Sequence, residues 1–354
     1  MRLEPRPHAG PWRAVAAPVL AVAAALLICA VPLALAGADV PTAYARILQG
    51  SLGSAFAVTE TLARATPLML TGLAAALAFR ARLWNIGGEG QLYLGAVAAV
   101  AVGSGMLGLP APLLLPAVIL AGALAGALLM LGPALLKLRF GVDEVVTTLL
   151  LNFVVLLFVG MMLEGPMKDP MSMGWPQSAP VLDDATLPKL VERTRVHAGL
   201  LLALAVGLAA WFLIQRTVWG YEMRAVGANA EAARFAGIPV ERVLLRVALL
   251  SGACAGLAGV GEVAGLKGYL TQDLSPGYGY AGIVVAMLAG THPLGVLAAA
   301  LFIAAIFVGA DSMSRAMGVS SYIANLIVAT SLLTMLLARL LAGYRIRPGY
   351  RIRH

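Results

Sequence analysis

A chain of 354 residues that is 60% hydrophobic and only 12% charged, with a mean hydropathy of +0.89, is not composed like a soluble globular domain. A bilayer core about 30 Å thick takes roughly 20 apolar helical residues per crossing, so this length supplies on the order of ten crossings and leaves no room for a separate soluble catalytic domain. The formal charge of +8 does not point to nucleic acid, because the arginines stand in short groups between apolar runs rather than in a basic block interleaved with aromatics.

In chain order, the first apolar run is Ala14 to Ala36, behind Arg2, Arg6 and Arg13. It ends in Ala34-Leu35-Ala36, in the manner of a signal-peptide cleavage site. It is nevertheless longer than the usual h-region and leads into further spans, so it reads as an uncleaved first crossing. Further crossings are expected over Thr61 to Phe79, Gly90 to Leu107, Leu113 to Leu136, Val145 to Leu163, Ala198 to Ile214, Val243 to Leu266, Tyr280 to Gly290, Leu294 to Ala310 and Tyr322 to Leu341. The eighth of these is too short to cross alone.

The predicted fold is thus an all-α integral membrane bundle of about ten spans with one short broken segment, residues 1–354 forming a single transmembrane domain. With the N-terminus in the cytoplasm, that side receives the tail arginines, Arg80 and Arg82, Lys137 and Arg139, the basic 216–243 loop, and the C-terminal arginines. The positive-inside rule then puts both termini in the cytoplasm. The proline- and glycine-rich loop 164–197, with Asp183 and Asp184, becomes an external lid or docking loop. Glycines recur at four-residue spacing in Gly122 with Gly126, Gly252 with Gly256, and Gly261 with Gly265, a pattern that lets helix backbones approach closely within one subunit.

The segment Trp84-Asn85-Ile86-Gly87-Gly88-Glu89-Gly90-Gln91 carries three glycines in four positions, which disfavour helix, and three polar side chains at the membrane boundary. Irregular backbone at that depth needs protein or a watery cavity to satisfy it, and a carboxylate there marks a candidate functional site. Asn85, Glu89 and Gln91 are therefore expected to line a central path. Glu89 has two structural alternatives, capping a neighbouring helix or pairing with Arg80 or Arg82. Asn152 and Asn325, each inside an apolar span, are further path candidates, with an ordinary interhelical hydrogen bond as the alternative. Gly277, Gly279 and Gly282 precede a short apolar run that stops at Gly290-Thr291-His292-Pro293, and such interrupted segments point to a translocation path.

The stretch from Ala78 through Phe79-Arg80-Ala81-Arg82 to Trp84-Asn85-Ile86-Gly87-Gly88-Glu89-Gly90-Gln91 resembles the hallmark of the permeases of ABC importers in the ribose, branched-chain amino acid and nucleoside branch, most of all the nucleoside type. Trp84 departs from the usual Phe. Val142-Asp143-Glu144 with Thr147-Thr148 and Leu151-Asn152, Gly277 to Ile283, and His292-Pro293-Leu294-Gly295 are similar as well. The resemblance implies a transport function, with a nucleoside as the expected solute and a simple sugar or riboflavin-like compound as alternatives. It further implies cytoplasmic ATPase subunits, an extracytoplasmic solute-binding protein, a second permease that is a shorter paralogue, and residence in the bacterial inner membrane.

Between Gly220 and Arg242, Asn229 is a good N-cap, Glu231 complements the helix dipole, and Gly237-Ile238-Pro239 supplies a stop. A two-turn helix, Ala230 to Ala236, is expected. Its Glu231-Ala232-Ala233 with Gly237 resembles the Glu-Ala-Ala-x-x-x-Gly loop by which such permeases contact their ATPases, with Ala232, Ala233 and Phe235 as the apolar surface. No Walker A sequence is present, since Lys137, Lys168, Lys189 and Lys267 are never followed by Ser or Thr, so ATP would be bound by another chain. Catalytic residues, cofactors and metals are not expected: Cys29 and Cys254 sit in apolar runs, and His8, His197, His292 and His354 are scattered. The remaining functional class is an ion-coupled secondary transporter, for which Glu89 reads as the one suitably placed carboxylate.

Overall fold

The computed structural model describes residues 2–5, 23–24, 26–105 and 107–347. They are helical apart from a short antiparallel pairing of Arg2–Pro5 with Tyr344–Arg347 and the connections. In order, the helices are α1 (Leu26–Leu35), α2 (Val40–Leu52), α3 (Ala55–Arg80), α4 (Gly88–Gly103), α5 (Ala111–Phe140), α6 (Glu144–Glu164), α7 (Gly199–Arg216), α8 (Val218–Ala228), α9 (Ala230–Phe235), α10 (Val240–Val260), α11 (Tyr278–Leu288), α12 (Pro293–Met317) and α13 (Ser321–Gly343). The helix α10 runs on through a π-helical turn, Gly261–Lys267.

Among the described residues, six helices are long and apolar enough to span a bilayer, or seven if α1 and α2 form one bent span. The six coincide with expected crossings. The expected count of ten is not reached among the described residues. The first crossing begins outside them, α4 has 16 residues, α11 has 11, and α13 is apolar over Tyr322–Thr334. The amphipathic α2 and the helix α8 lie where no element was expected, because neither has a long apolar run.

The chain divides into two compact units. One joins the two ends, up to Ala57 and from Ala305 onward. There Cys29, Leu33, Ala43, Met313 and Ile327 form a small core, and Gly50 lets α2 close on Ser312 of α12. The other unit, Val58–Ala304, holds the remaining helices. At its centre α4, α5 and α10 touch backbone to backbone. A Cβ added at Gly95, Gly126, Gly252, Gly256 or Gly259 would come within 3.0 Å of a main-chain atom of a facing helix. The spacing seen in the sequence thus serves packing within one subunit, as expected for Gly122, Gly126, Gly252 and Gly256. Gly265 has another use, since its bare Cα faces the ring of buried His197. The helix α3 is largely enclosed, whereas α6 shows most of its apolar surface, including Leu150, Phe153 and Leu157.

The 164–197 loop is strapped down rather than free. Leu187 N donates to Ala264 O (2.7 Å), Val181 N to Gly268 O (2.8 Å) and Leu182 N to Gly103 O (2.9 Å). Lys189 Nζ donates to Gly265 O (3.2 Å). A π-turn misaligns the regular helical ladder, and the loop supplies partners for two of its carbonyls.

Replacing Gly126 with Leu forces α5 off α10 and costs about 1–3 kcal/mol or more. Purified yield and melting temperature in detergent should fall for Gly126→Leu and hold for Gly132→Ala, a site with open space around it. A second expectation concerns pH. Burial, and then the charge of Lys189, hold the His197 imidazole down to about 4. An opened loop binds a proton below about 6.5 that the packed loop does not, so strapping weakens as pH falls from about 6.5 to 4. Hydrogen exchange over 187–199, corrected for intrinsic rates, should accelerate across that window in the native chain and stay flat in His197→Asn.

Candidate functional site

The polar residues singled out in the sequence converge on the turn between α3 and α4 and on the start of α11. The helix α3 ends at Arg80, and the chain is irregular from Ala81 to Gly87, passing through Arg82 at φ +54°. Contrary to expectation, the glycines of this segment do not break the helix. Gly88, Glu89, Gly90 and Gln91 form the first turn of α4, capped by Gly87, and the irregular stretch lies just before them. Glycine at these positions serves close approach instead. Gly279 of α11 packs on the backbone of Gly88 and Glu89, so that a Cβ on it would clash.

The turn is held by one face of α6. Glu144 Oε1 accepts from Trp84 N (3.1 Å), Thr148 Oγ1 from Ile86 N (3.2 Å) and Asn152 Oδ1 from Gly90 N (2.8 Å). Asn152 Nδ2 donates to Ile86 O (3.0 Å) and to the Tyr280 hydroxyl (3.2 Å). Glu144 also pairs with Lys137. Spacing of four residues puts 144, 148 and 152 on one stripe of a helix, and all three are buried. Asn85 and Gln91 exchange both amide bonds at 2.9 Å, and Asn85 Nδ2 donates to Ser251 Oγ (2.8 Å), which donates onward to Ala74 O (2.7 Å). The polar side chains are satisfied by protein, as buried groups must be.

Glu89 is 3% exposed and caps α11. Its Oε2 accepts from Gly279 N (2.6 Å), and Gly277 N and the Ser275 hydroxyl also act on it. Of the alternatives open in the sequence, helix capping is what the fold uses. Arg80 is engaged elsewhere, donating to Thr291 O (2.9 Å). Tyr93, one turn along α4, donates to Gln272 O (2.6 Å) and accepts from Ser275 N (3.1 Å), fixing the approach to α11. Two short helices therefore meet N-terminus to N-terminus, with a carboxylate at the junction of their positive ends.

Asn325 belongs to a different unit from this cluster. It lies on α13, exposed, in the unit formed by the chain's ends. Glu144, Thr148 and Tyr280 entered the sequence reading only through the family resemblance, with no role assigned, and Ser251 and Ser275 were passed over. The first two were legible as a four-residue polar stripe running to Asn152. The sequence reading also took Glu89 for the one carboxylate at membrane depth. Glu262, 2% exposed in the π-turn and close enough to feel the charges of Arg64 and Lys267, is a second.

The short helix α9 runs over Ala230–Phe235, one residue less than expected at its C-terminal end. Asn229 Oδ1 accepts from Glu231 N (3.0 Å) and Ala232 N (3.1 Å), and Gly237 closes the helix at φ +82°. Ala232 and Phe235 are exposed, Phe235 fully, but Ala233 turns inward and is no part of the outer surface. The preceding α8 is tied down by Arg246, which stacks on Trp219 (4.6 Å) and pairs with Glu222 (3.5 Å).

Comparison with known proteins adds an independent line. The family described as "Branched-chain amino acid transport system / permease component" matches residues 57–339. The chain is 40% identical to the glucose ABC transporter permease protein TsgB13 of Haloferax volcanii, over 98% of this chain and 93% of that protein. It is 35% identical to the guanosine ABC transporter permease protein NupP of Bacillus subtilis, over 89% and 91%. It is 30% identical to the nucleoside ABC transporter permease protein NupB of Lactococcus lactis, over 86% and 85%.

Truncating Asn152 to alanine strands the Gly90 amide and the Ile86 carbonyl, a loss of about 1–3 kcal/mol. The melting temperature in detergent should drop clearly for Asn152→Ala and hardly at all for Leu150→Ala on the exposed face of the same helix.

Proposed function

From the premise that this chain belongs to the branched-chain amino acid transport permease family, and so is the permease subunit of an ABC importer for a small polar solute, we propose that its solute is an uncharged nucleoside. It is a transport component, not a catalytic enzyme. Family membership also displaces the ion-coupled alternative.

The observation that carries the reading is Glu89 at the junction of α4 and α11. The N-terminus of a broken helix is where transporters of several folds receive an anionic substrate group. In this chain the end of α11 is occupied by the protein's own carboxylate. A solute bearing a carboxylate or phosphate would meet a site already filled, whereas a neutral solute has no need of it. That argues against an amino acid despite the family's description, and it suits the glucose and guanosine named for two relatives equally well. The resemblance of Trp84 to Gln91 to the hallmark of nucleoside-type permeases favours the nucleoside. A simple sugar is the second reading, favoured by the 40% identical relative.

The path runs beside the α4–α11 junction, with Asn85, Gln91 and Asn152 holding its wall and Tyr280, 38% exposed, carrying the network to an accessible face. Both termini and α9 face the cytoplasm in this reading, and the 164–197 strap faces outward. The apolar tip of α9, Ala232 and Phe235, docks into a groove of an ATPase subunit, since a helix of 6 residues has no stability of its own without a surface to rest on. A second, shorter permease completes the path, and an extracytoplasmic binding protein delivers the solute.

The test is uptake by vesicles holding the permease pair, the ATPase and the binding protein. ATP-dependent accumulation of labelled guanosine should be competed by uridine but not by guanosine monophosphate or leucine. Glu89→Gln should cut uptake about tenfold or more, equivalent to about 1.4 kcal/mol, with the complex intact. Phe235→Ala should release the ATPase on purification. Competition by glucose but not nucleosides selects the second reading, and uptake driven by a proton gradient without ATPase overturns both.

A further inference from the structure

The helix α2 divides its circumference into three faces that no soluble or spanning role accounts for. At 100° per residue, Ala43, Ile47 and Gly50 lie together and pack inward, with Gly50 against Ser312 and Ile47 against Gly309. Thr42, Arg46 and Gln49 form an exposed polar stripe, and Ala45, Leu48 and Leu52 an exposed apolar one. The chain reaches α2 through Gly37 at φ +76°. Asp39 then caps the helix, accepting from Thr42 N (3.0 Å), so the break from α1 is built rather than incidental. The turn between the two axes is 116°.

We propose that α2 lies in the headgroup boundary of the bilayer, with its Leu48–Leu52 face in lipid and its Arg46–Gln49 face in water. If α1 runs near the bilayer normal, a turn of 116° leaves α2 about 26° past the membrane plane. Its 13 residues, about 20 Å long, then descend about 9 Å from end to end. A drop of that size keeps the whole helix within the boundary layer, where amphipathic helices sink their apolar side by about 5–10 Å. The exposed leucines of α2 are flanked along the chain by other large apolar side chains left open. On α1, Leu27, Val31 and Leu35 are exposed, and beyond α2 so is Phe56. Tyr44, a residue favoured at this boundary, ties α2 back to α1 by donating to Leu26 O. The helix thereby sets the depth at which the chain enters α3 at Ala55.

The inference rests on the chain being membrane-embedded and not on which solute it carries. Single cysteines at Leu48, Leu52, Arg46 and Gln49, labelled with bimane in the reconstituted full complex, report the environment. The native thiols, Cys29 and Cys254, are buried. With iodide on both sides of the vesicle, the result is independent of orientation. Labels at Leu48 and Leu52 should be quenched at least about threefold more by a shallow lipid nitroxide than by iodide, and those at Arg46 and Gln49 the reverse. Iodide quenching at Leu48 equal to that at Gln49 would show a wet face. Shielding of Leu48 and Leu52 from both quenchers would show a protein partner there. Either result overturns the proposal and leaves the nucleoside reading standing.

Discussion

Everything in the larger unit depends on the contact of three helix backbones at glycine. In lipid there is no hydrophobic gain in bringing helices together, so close packing has to supply the attraction. The glycines of α4, α5 and α10 let main chains meet where any side chain would intervene. Because α4 is seated at Gly95 against Gly256, and Gly259 of α10 against Leu92, its direction is set. Its N-terminus, carrying Glu89, then arrives at the start of α11. Glu89 is thus positioned by contacts made about one to two turns away from it.

Once α4 is placed, electrostatics decides how its end is finished. Two helix N-termini in contact would concentrate unpaired N–H groups and partial positive charge at membrane depth. Glu89 supplies the acceptor on one side, and Ser275 helps by accepting from Gly277 N (3.1 Å) and Tyr278 N (2.9 Å). The irregular turn before α4 has the same need for partners. It is met by the Glu144, Thr148 and Asn152 stripe, a length of helix acting as a template for non-helical backbone. The π-turn ending α10 repeats the device with the 164–197 strap in place of α6.

These arrangements explain why polar residues in an apolar chain need not be solute contacts. Asn85 and Gln91 spend their amides on each other. In the proposed reading, what they contribute to transport is the shape of the wall they hold. A permease fed by a separate binding protein needs little more, since a weakly selective path that excludes the wrong charge lets the solute leave as readily as it enters.

The sequence by itself determined membrane class, helical fold, the long spans and the capped α9, because apolar runs, N-cap residues and glycine stops act locally and are written locally. It also marked Trp84 to Gln91 as the unusual segment and the small-residue spacing as packing. It read the glycines of Gly87 to Gln91 as against helix, whereas Gly88 to Gln91 open α4. Isolated glycine disfavours helix, and only the approach of Gly279 makes glycine the residue that permits it. The choice between solute contact and helix cap for Glu89 was open, because Gly279 is 190 residues away along the chain. Periodicity gave no warning of α2, whose three faces have meaning only once one of them is packed. What tertiary structure decided, in each case, was which distant backbone came close enough to need a partner.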